Sequence, residues 1–167
     1  NASFWTSGRA IEVAKHLERF PIVHGLETPI PQNDVEGYKR LRSKLSQQII
    51  LDRPTEYWMS LTNFMCDGFK LGDPKKEGPA QIRRLATLID EAGHIPFFID
   101  SGSLGIGCVF AIHLAATIRN ATLPHGVLSF LENNGLLINP LTVEDGSIEL
   151  PQTPGLGVEL DEDTIKQ

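Results

Sequence analysis

The sequence predicts an α/β fold made of parallel strand–helix units, and three observations support this class. Short apolar segments alternate with amphipathic segments about four times along the 167 residues. The predicted loops between them are short, as is usual in such units. The predicted strands are mostly apolar throughout, which is expected when helices cover both faces of a sheet. Such a series forms either half of an eight-fold β/α barrel or most of a small doubly wound sheet.

Each predicted element in the first half of the chain has a local signal. Ser7 is a typical N-cap residue and precedes apolar residues at helical spacing. Asp34 caps the next helix, and Pro54 suits the first turn of the third. Two of the predicted strands end at an acid, Glu27 or Asp52. The predicted strands cover residues 20–26, 48–51 and 67–71, and the third helix covers 55–65.

In the second half, Pro79 opens the clearest amphipathic helix and Gly93 ends it. A strand over 95–99 follows and ends at Asp100. A loop rich in glycine and serine then leads to an apolar helix over 106–118. The glycines of that loop do not have the spacing of a dinucleotide-binding loop, so a dinucleotide site is not expected.

The dipeptide Asp145-Gly146 predicts a two-residue hairpin turn, because a type I′ turn needs positive φ at both positions. In such a hairpin Val143 pairs with Ile148. So small a hairpin is not stable alone, and we expect it to pack on a larger body. Four apolar side chains would share one of its faces: Leu141, Val143, Ile148 and Leu150.

Composition excludes some classes of function. The net charge of −6 leaves no basic excess to neutralise phosphates, so a nucleic-acid partner is not expected. The longest apolar run is too short to span a membrane, and the N-terminus has no signal-peptide pattern. Cys66 and Cys108 lie in apolar surroundings that suit reduced, buried thiols. We therefore expect a cytoplasmic protein with no membrane partner.

Four residues with reactive side chains lie at or near the ends of predicted strands: Glu27, Asp52, Lys70 and Asp100. In a β/α barrel these ends form one mouth, where active sites of that fold are built. Carboxylates there suit Mg²⁺, and a lysine beside the cation has its charged form disfavoured. This combination suits removal of a proton next to a carboxylate. On spacing alone, helix caps and a solvated loop lysine are the better explanation of these residues.

Several motifs resemble the mandelate racemase/muconate-lactonizing branch of the enolase superfamily. Glu27-Thr28-Pro29 matches the family's Glu-x-Pro motif, and residues 49–53 are similar to the strand end that supplies a further metal ligand. Lys70 is near the position of the catalytic lysine on the lactonizing and epimerase side. The resemblance covers essentially the whole chain. Further similar segments are Asn1, the His-Leu-Ala-Ala sequence at 113–116, and the closing segment 154–159.

The resemblance implies a partial (β/α)8 barrel of about four βα units over residues 1–125. Residues 126–167 would then be a closing segment that packs on a capping domain absent from this chain. It implies a Mg²⁺ cofactor, a small-molecule carboxylate substrate, and a homo-oligomeric full-length parent. The parent would be a racemase or epimerase, a cycloisomerase or a dehydratase, and the 167 residues alone are expected to be inactive. The implied roles are metal binding by Glu27 and Asp52, catalysis by Lys70, and substrate binding by Asp100, Ser101 and Ser103.

The chain departs from the family pattern at several of these positions. The family's first metal ligand would precede Asn1, and Arg53 stands where relatives carry a ligand glutamate. Asp100 is near the position where the mandelate racemase side of the family has a histidine base, and no histidine is found there. An always-charged guanidinium repels a metal cation, so the alternative is a non-catalytic barrel relative that has lost the metal site.

Overall fold

The computed structural model describes residues 4–54, 56–72, 77–93, 97–101, 105–127 and 136–166, with the backbone alone for 97–101 and 127. The chain divides into two compact units. The first contains Asn1–Leu71 and Thr87–Phe97, and the second contains Gly72–Ala86 and Phe98–Gln167.

The first unit has the alternating helices and strands that the sequence predicts. Its three described strands are all parallel and run in the order β1-β2-β3. The register aligns Leu26 with Ile49 and Leu51 with Phe69. The α/β class and its parallel strands are therefore confirmed. The elements are α1 (Ser7–Leu17), β1 (Gly25–Glu27), α2 (Val35–Lys44), β2 (Gln48–Asp52), α3 (Tyr57–Thr62) and β3 (Gly68–Leu71).

One face of this three-stranded sheet forms the core of the first unit. Side chains alternate along a strand, so paired residues at every second position share that face. Four of them are fully buried: Ile49, Leu51, Phe69 and Leu71. The opposite face carries the half-buried side chains of β1, β2 and β3, and these include the candidate site residues.

The helix α2 is fixed to this core by polar contacts at its start. Asp34 caps the helix, and its carboxylate accepts a hydrogen bond from the Gly37 N–H at 2.8 Å. Tyr38 is fully buried, and its hydroxyl donates to the Ile30 carbonyl at 2.9 Å. Burial raises the pKa of Tyr38, because the phenolate form would lose its hydration.

The predicted strand over 20–26 is wrong in its first five residues. Two turn hydrogen bonds of 2.9 Å form there, from Phe20 N–H to Leu17 O and from Val23 N–H to Phe20 O. Ile22 is 84% exposed, so this apolar residue is not part of the core. The strand β1 begins only at Gly25, where the backbone pairs with Gln48 of β2. An apolar run alone does not distinguish a buried strand from an exposed apolar turn.

Cys66 gives the first unit a predicted sensitivity to alkaline pH. Burial, helped by the negative charge of Asp67, raises the pKa of this thiol from 9.0 to about 12. The unfolded thiol therefore ionises at a lower pH than the folded one. The contribution of this pKa difference to the stability of the folded state is complete below pH 9.0 and is lost as the pH rises toward 12. We expect the free energy of unfolding in urea to fall across this window, and to fall less in Cys66→Ala. A free energy that is flat across the window in the native sequence would contradict this assignment.

The remaining described elements begin with the predicted amphipathic helix. It ends before Gly93, whose φ of 131° suits glycine. The backbone of β4 pairs in parallel with β5, and Asp100 aligns with Gly126. No helix in the described part of the chain combines the length and apolar character needed to cross a bilayer. These elements are α4 (Pro79–Glu91), β4 (Phe97–Ser101), α5 (Ile106–Ala116), β5 (Gly126–Val127) and α6 (Glu162–Ile165).

Within the second unit, the closing segment contacts the helix α5 through a histidine. The His113 ring Nε2 donates to the Leu156 carbonyl at 3.2 Å, so this residue has a structural contact. Within the same segment, Leu137 and Leu160 form an antiparallel bridge.

The predicted turn at Asp145-Gly146 is present, but the predicted strands on either side of it are not. Both turn residues have positive φ, 48° and 75°. Glu144 and Ser147 exchange two backbone hydrogen bonds of 2.9 Å, and their bridge is isolated. The proposed pairing of Val143 with Ile148 is therefore wrong. Val143 is 45% exposed, so little apolar burial is available there to hold a longer ladder.

Candidate active site at the carboxyl ends of three strands

Three of the predicted site residues lie at the carboxyl ends of neighbouring strands. Glu27 ends β1, Asp52 ends β2, and Lys70 lies one residue before the end of β3. The register aligns Glu27 with Ile50 and Asp52 with Lys70. Aligned residues of parallel strands project to the same side, so all three side chains project from one sheet face. The structure brings these residues together, while their catalytic roles stay a prediction.

Glu27 and Lys70 form an ion pair between the two outer strands of this group. The Lys70 ammonium donates to Glu27 Oε2 at 3.2 Å. The side chains are 14% exposed for Lys70 and 30% exposed for Glu27, so the pair is only partly screened by water. An amine and a carboxylate therefore lie within hydrogen-bond distance at the strand ends.

Asp52 lies on β2, between β1 and β3, and its carboxylate pairs with a different cationic side chain, that of Arg53. Its carboxylate accepts hydrogen bonds from Arg53, at 3.0 Å from Nε and 3.4 Å from Nη2. The Asp52 side chain is 11% exposed, and the Arg53 side chain is 43% exposed. The sequence alone indicated that Arg53 would oppose a metal at this position. The structure shows that it also neutralises the neighbouring carboxylate.

The backbone of Asp52 is held by two residues that sequence analysis did not single out. Its N–H donates to Thr28 Oγ1 at 2.9 Å, and its carbonyl accepts from the Gln32 side-chain amide at 2.7 Å. Both residues belong to the loop that follows β1. The only signal in the sequence is that polar residues stand in this otherwise apolar and proline-rich loop.

Two strands of the site end with the same strained backbone. Thr28 and Arg53 directly follow Glu27 and Asp52, and their φ values are 42° and 43°. Left-handed backbone costs a residue with a side chain about 1–3 kcal/mol, most of all a β-branched one. The strain is offset by further hydrogen bonds, because Thr28 N–H donates to Ile50 O at 2.8 Å and Arg53 N–H donates to the Lys70 carbonyl at 2.9 Å. Backbone hydrogen bonds thus fix the positions of Thr28 and Arg53, which directly follow the two site carboxylates.

The other predicted site residues lie outside the part of the chain whose side chains are described. Asp100 and Ser101 lie in β4, where the structure describes the backbone alone. Ser103 lies outside the described residues. Their predicted role in substrate binding stays a prediction.

The donor set at these strand ends fits a magnesium ion held by two carboxylates. Magnesium prefers oxygen ligands and commonly takes one or two carboxylates together with several waters. Glu27 and Asp52 supply such oxygens from one face. Among the described residues, no group of three or more His, Cys, Asp or Glu side chains is placed to hold a metal. Both carboxylates are instead paired with Lys70 and Arg53, so a cation has to displace internal partners.

Comparison with protein families gives a match along almost the whole chain. The model of the enolase C-terminal domain-like family matches residues 1–164. The chain is 28% identical over 160 residues to a D-galactonate dehydratase family member of Enterococcus gallinarum (strain EG2), covering 92% of this chain and 40% of that protein. It is 26% identical to muconate cycloisomerase 1 of Pseudomonas putida, covering 97% and 44%. The chain thus spans less than half the length of either relative.

Solved structures show the same fold. Muconate lactonizing enzyme from Pseudomonas fluorescens, complexed with muconolactone, gives a TM-score of 0.85 at 23% identity, covering 98% of this chain and 45% of that one. An enolase from Mycobacterium smegmatis complexed with tartrate gives 0.81 at 24%, covering 97% and 39%. An enolase from Thermobispora bispora complexed with magnesium and formate gives 0.79 at 23%, also covering 97% and 39%. Nearly the whole chain therefore has the fold of these solved structures.

Proposed function

The chain belongs to the enolase C-terminal domain-like family, and on that premise we propose that it is part of an enzyme that removes a proton next to a carboxylate. The observation that carries the proposal is the contact of 3.2 Å between Lys70 and Glu27, on the face that Asp52 shares. The relatives named above include a dehydratase family member and a cycloisomerase. Loss of water and racemisation or epimerisation begin with such a proton removal, and so does ring opening, the reverse of cycloisomerisation.

In this proposal each site residue has one role. Neutral Lys70 accepts the substrate proton at Nζ, and the resulting ammonium group returns it to the product. Glu27 and Asp52 would hold Mg²⁺, which supplies positive charge to the carboxylate oxygens of the substrate when bound. Thr28 and Gln32 hold the Asp52 backbone and so fix the position of its carboxylate. The substrate is a small carboxylate, and Asp100, Ser101 and Ser103 are its proposed further contacts.

Magnesium binding tests the roles of the two carboxylates. We expect calorimetric titration of the 167-residue chain to show one magnesium site, weakened about tenfold or more in Glu27→Gln. The expected loss follows from the removal of one of only two charged ligands. The matched control is Glu36→Gln, since Glu36 is also paired with a lysine but lies 82% exposed on α2. Equal affinity in Glu27→Gln and the native sequence would contradict the proposed ligand set.

A second candidate function is a non-catalytic barrel relative that has lost the metal. The Asp52–Arg53 pair favours it, because the guanidinium already neutralises the carboxylate that a cation would need. This candidate predicts that neither the native sequence nor Glu27→Gln binds magnesium. The same titration therefore separates the two functions.

A further inference from the structure

A cavity lies at the amino ends of β1 and β2, whereas the candidate active site lies at their carboxyl ends. Its volume is about 180 Å³, and its wall belongs entirely to the first unit. The wall is formed by the end of α1, the turn before β1 and the loop before β2. It includes Glu18, Phe20, Val23, Ser46 and Gln47. None of these residues has a role in the proposed function.

Gln47 leaves one buried acceptor of this wall without a partner. The residue is 8% exposed, and its Nε2 donates to the Ala14 carbonyl of α1 at 2.9 Å. This bond fixes the orientation of the amide, because a turned amide would bring two carbonyl oxygens together. Oε1 is buried and has no hydrogen-bond partner among the described residues. Surface water therefore does not hydrate it, and an unsatisfied buried acceptor is costly.

The charge of the wall favours a cation. Glu18 supplies a carboxylate, which accepts a hydrogen bond from the Ser46 hydroxyl at 3.3 Å. Within the described part of the chain the wall also includes His24, and it includes no lysine or arginine. Arg19 follows Glu18 but lies over the Phe20 ring, with 4.8 Å between the guanidinium carbon and the ring centroid. A fitting molecule therefore donates hydrogen bonds and carries a positive charge.

The size and the apolar part of the wall indicate a small organic molecule. A water molecule takes up about 30 Å³ of liquid volume, so one water bound to Gln47 would fill only a small part of the cavity. Phe20 and Val23 would then face further water. A short alkyl chain fills this space and removes apolar surface from water, which is favourable.

We propose that this cavity binds a small organic cation that carries a primary ammonium group. The ammonium donates a hydrogen bond to Gln47 Oε1 and is attracted by the Glu18 carboxylate. A short alkyl chain of the ligand packs against Phe20 and Val23. The site is independent of the proposed function, because it uses other residues at the other end of the strands.

Titration of the 167-residue chain with propylammonium chloride, followed by ¹H–¹⁵N NMR, tests this site. We expect saturable shifts of the Val23 and Ser46 backbone amides. The dissociation constant should be on the order of 1–10 mM for a ligand of so few atoms. Tetramethylammonium is the matched ligand, since it has the same charge but no N–H group. It should bind about tenfold more weakly or worse.

Two substitutions separate the hydrogen bond from the charge. Gln47→Leu should weaken propylammonium binding about tenfold to a hundredfold. It leaves α1 satisfied, because the Ala14 carbonyl still accepts from the Glu18 N–H at 3.0 Å. Glu18→Gln should weaken binding about twofold to fivefold, as expected for an exposed charge. The matched control is Gln152→Leu in the second unit, where the exposed amide donates to the Leu150 carbonyl at 2.8 Å, and it should not change the affinity.

Three results overturn the proposal. No saturation up to about 100 mM propylammonium in the folded native chain shows that an internal water satisfies Gln47. Equal affinity for tetramethylammonium shows that charge alone attracts the cation. Native affinity in Gln47→Leu, shown to be folded by circular dichroism, or in the exposed variant Glu18→Gln, shows that the ligand binds elsewhere. Selective binding of propylammonium that weakens in both variants and not in Gln152→Leu supports the site.

Discussion

Replacing Lys70 with methionine is expected to slow proton exchange by about 10²–10⁴-fold, the usual contribution of a positioned acid–base group. Methionine has a similar length, but it carries no group that accepts a proton. Lys70 projects from the sheet face opposite the buried core, so the loss should not come from unfolding. The measurement is deuterium incorporation next to the carboxylate of small carboxylic acids, followed by NMR in D₂O with the full-length enzyme that the proposed function implies.

The control for this experiment is Lys39→Met, because Lys39 also pairs with a glutamate but lies on the surface of α2. It should exchange deuterium at the native rate. A Lys70→Met protein that is folded, binds magnesium and exchanges at the native rate would show that another group moves the proton. The pairing with Glu27 would then be purely structural.

The parts of the fold that could be predicted are those specified by local patterns. The amphipathic stripe of α4 and the acid that ends β2 are such patterns, and both elements were found within a residue or two of their predicted bounds. The segment over 20–24 shows the limit of this approach. Whether an apolar run pairs as a strand depends on a partner far away in sequence, and here the pairing with β2 begins only at Gly25.

The candidate site was predictable in its residues but not in its contacts. Glu27, Asp52 and Lys70 were identified because parallel strands bring their carboxyl ends to one edge. Their pairing depends on strand register and on the left-handed backbone at Thr28 and Arg53, and neither has a signal in one sequence. The sequence indicated that Arg53 would oppose a metal. Only the structure shows which carboxylate it contacts.

Phe69→Ala should lower the free energy of unfolding by about 3–5 kcal/mol, more than the other substitutions named above. Phe69 is fully buried, and its ring centroid lies 5.4 Å from that of Tyr57 on α3. Truncation removes the apolar contact of β3 with this helix and leaves a cavity that the sheet cannot close. Since small domains are stable by roughly 5–15 kcal/mol, much of that margin would be lost. Urea unfolding followed by far-UV circular dichroism measures the change.

The matched control is Phe64→Ala, because Phe64 is 72% exposed and its truncation should cost within about 0.5 kcal/mol. Equal costs for the two phenylalanines would mean that the sheet faces are assigned wrongly, and Lys70 would then not point into the site. Substitutions at the neighbouring residues Phe69 and Lys70 are thus expected to have opposite effects. Phe69→Ala should lower the free energy of unfolding, whereas Lys70→Met should leave the fold intact and slow proton transfer. Both results are expected only if one face of the sheet forms the core and the other face carries the candidate site.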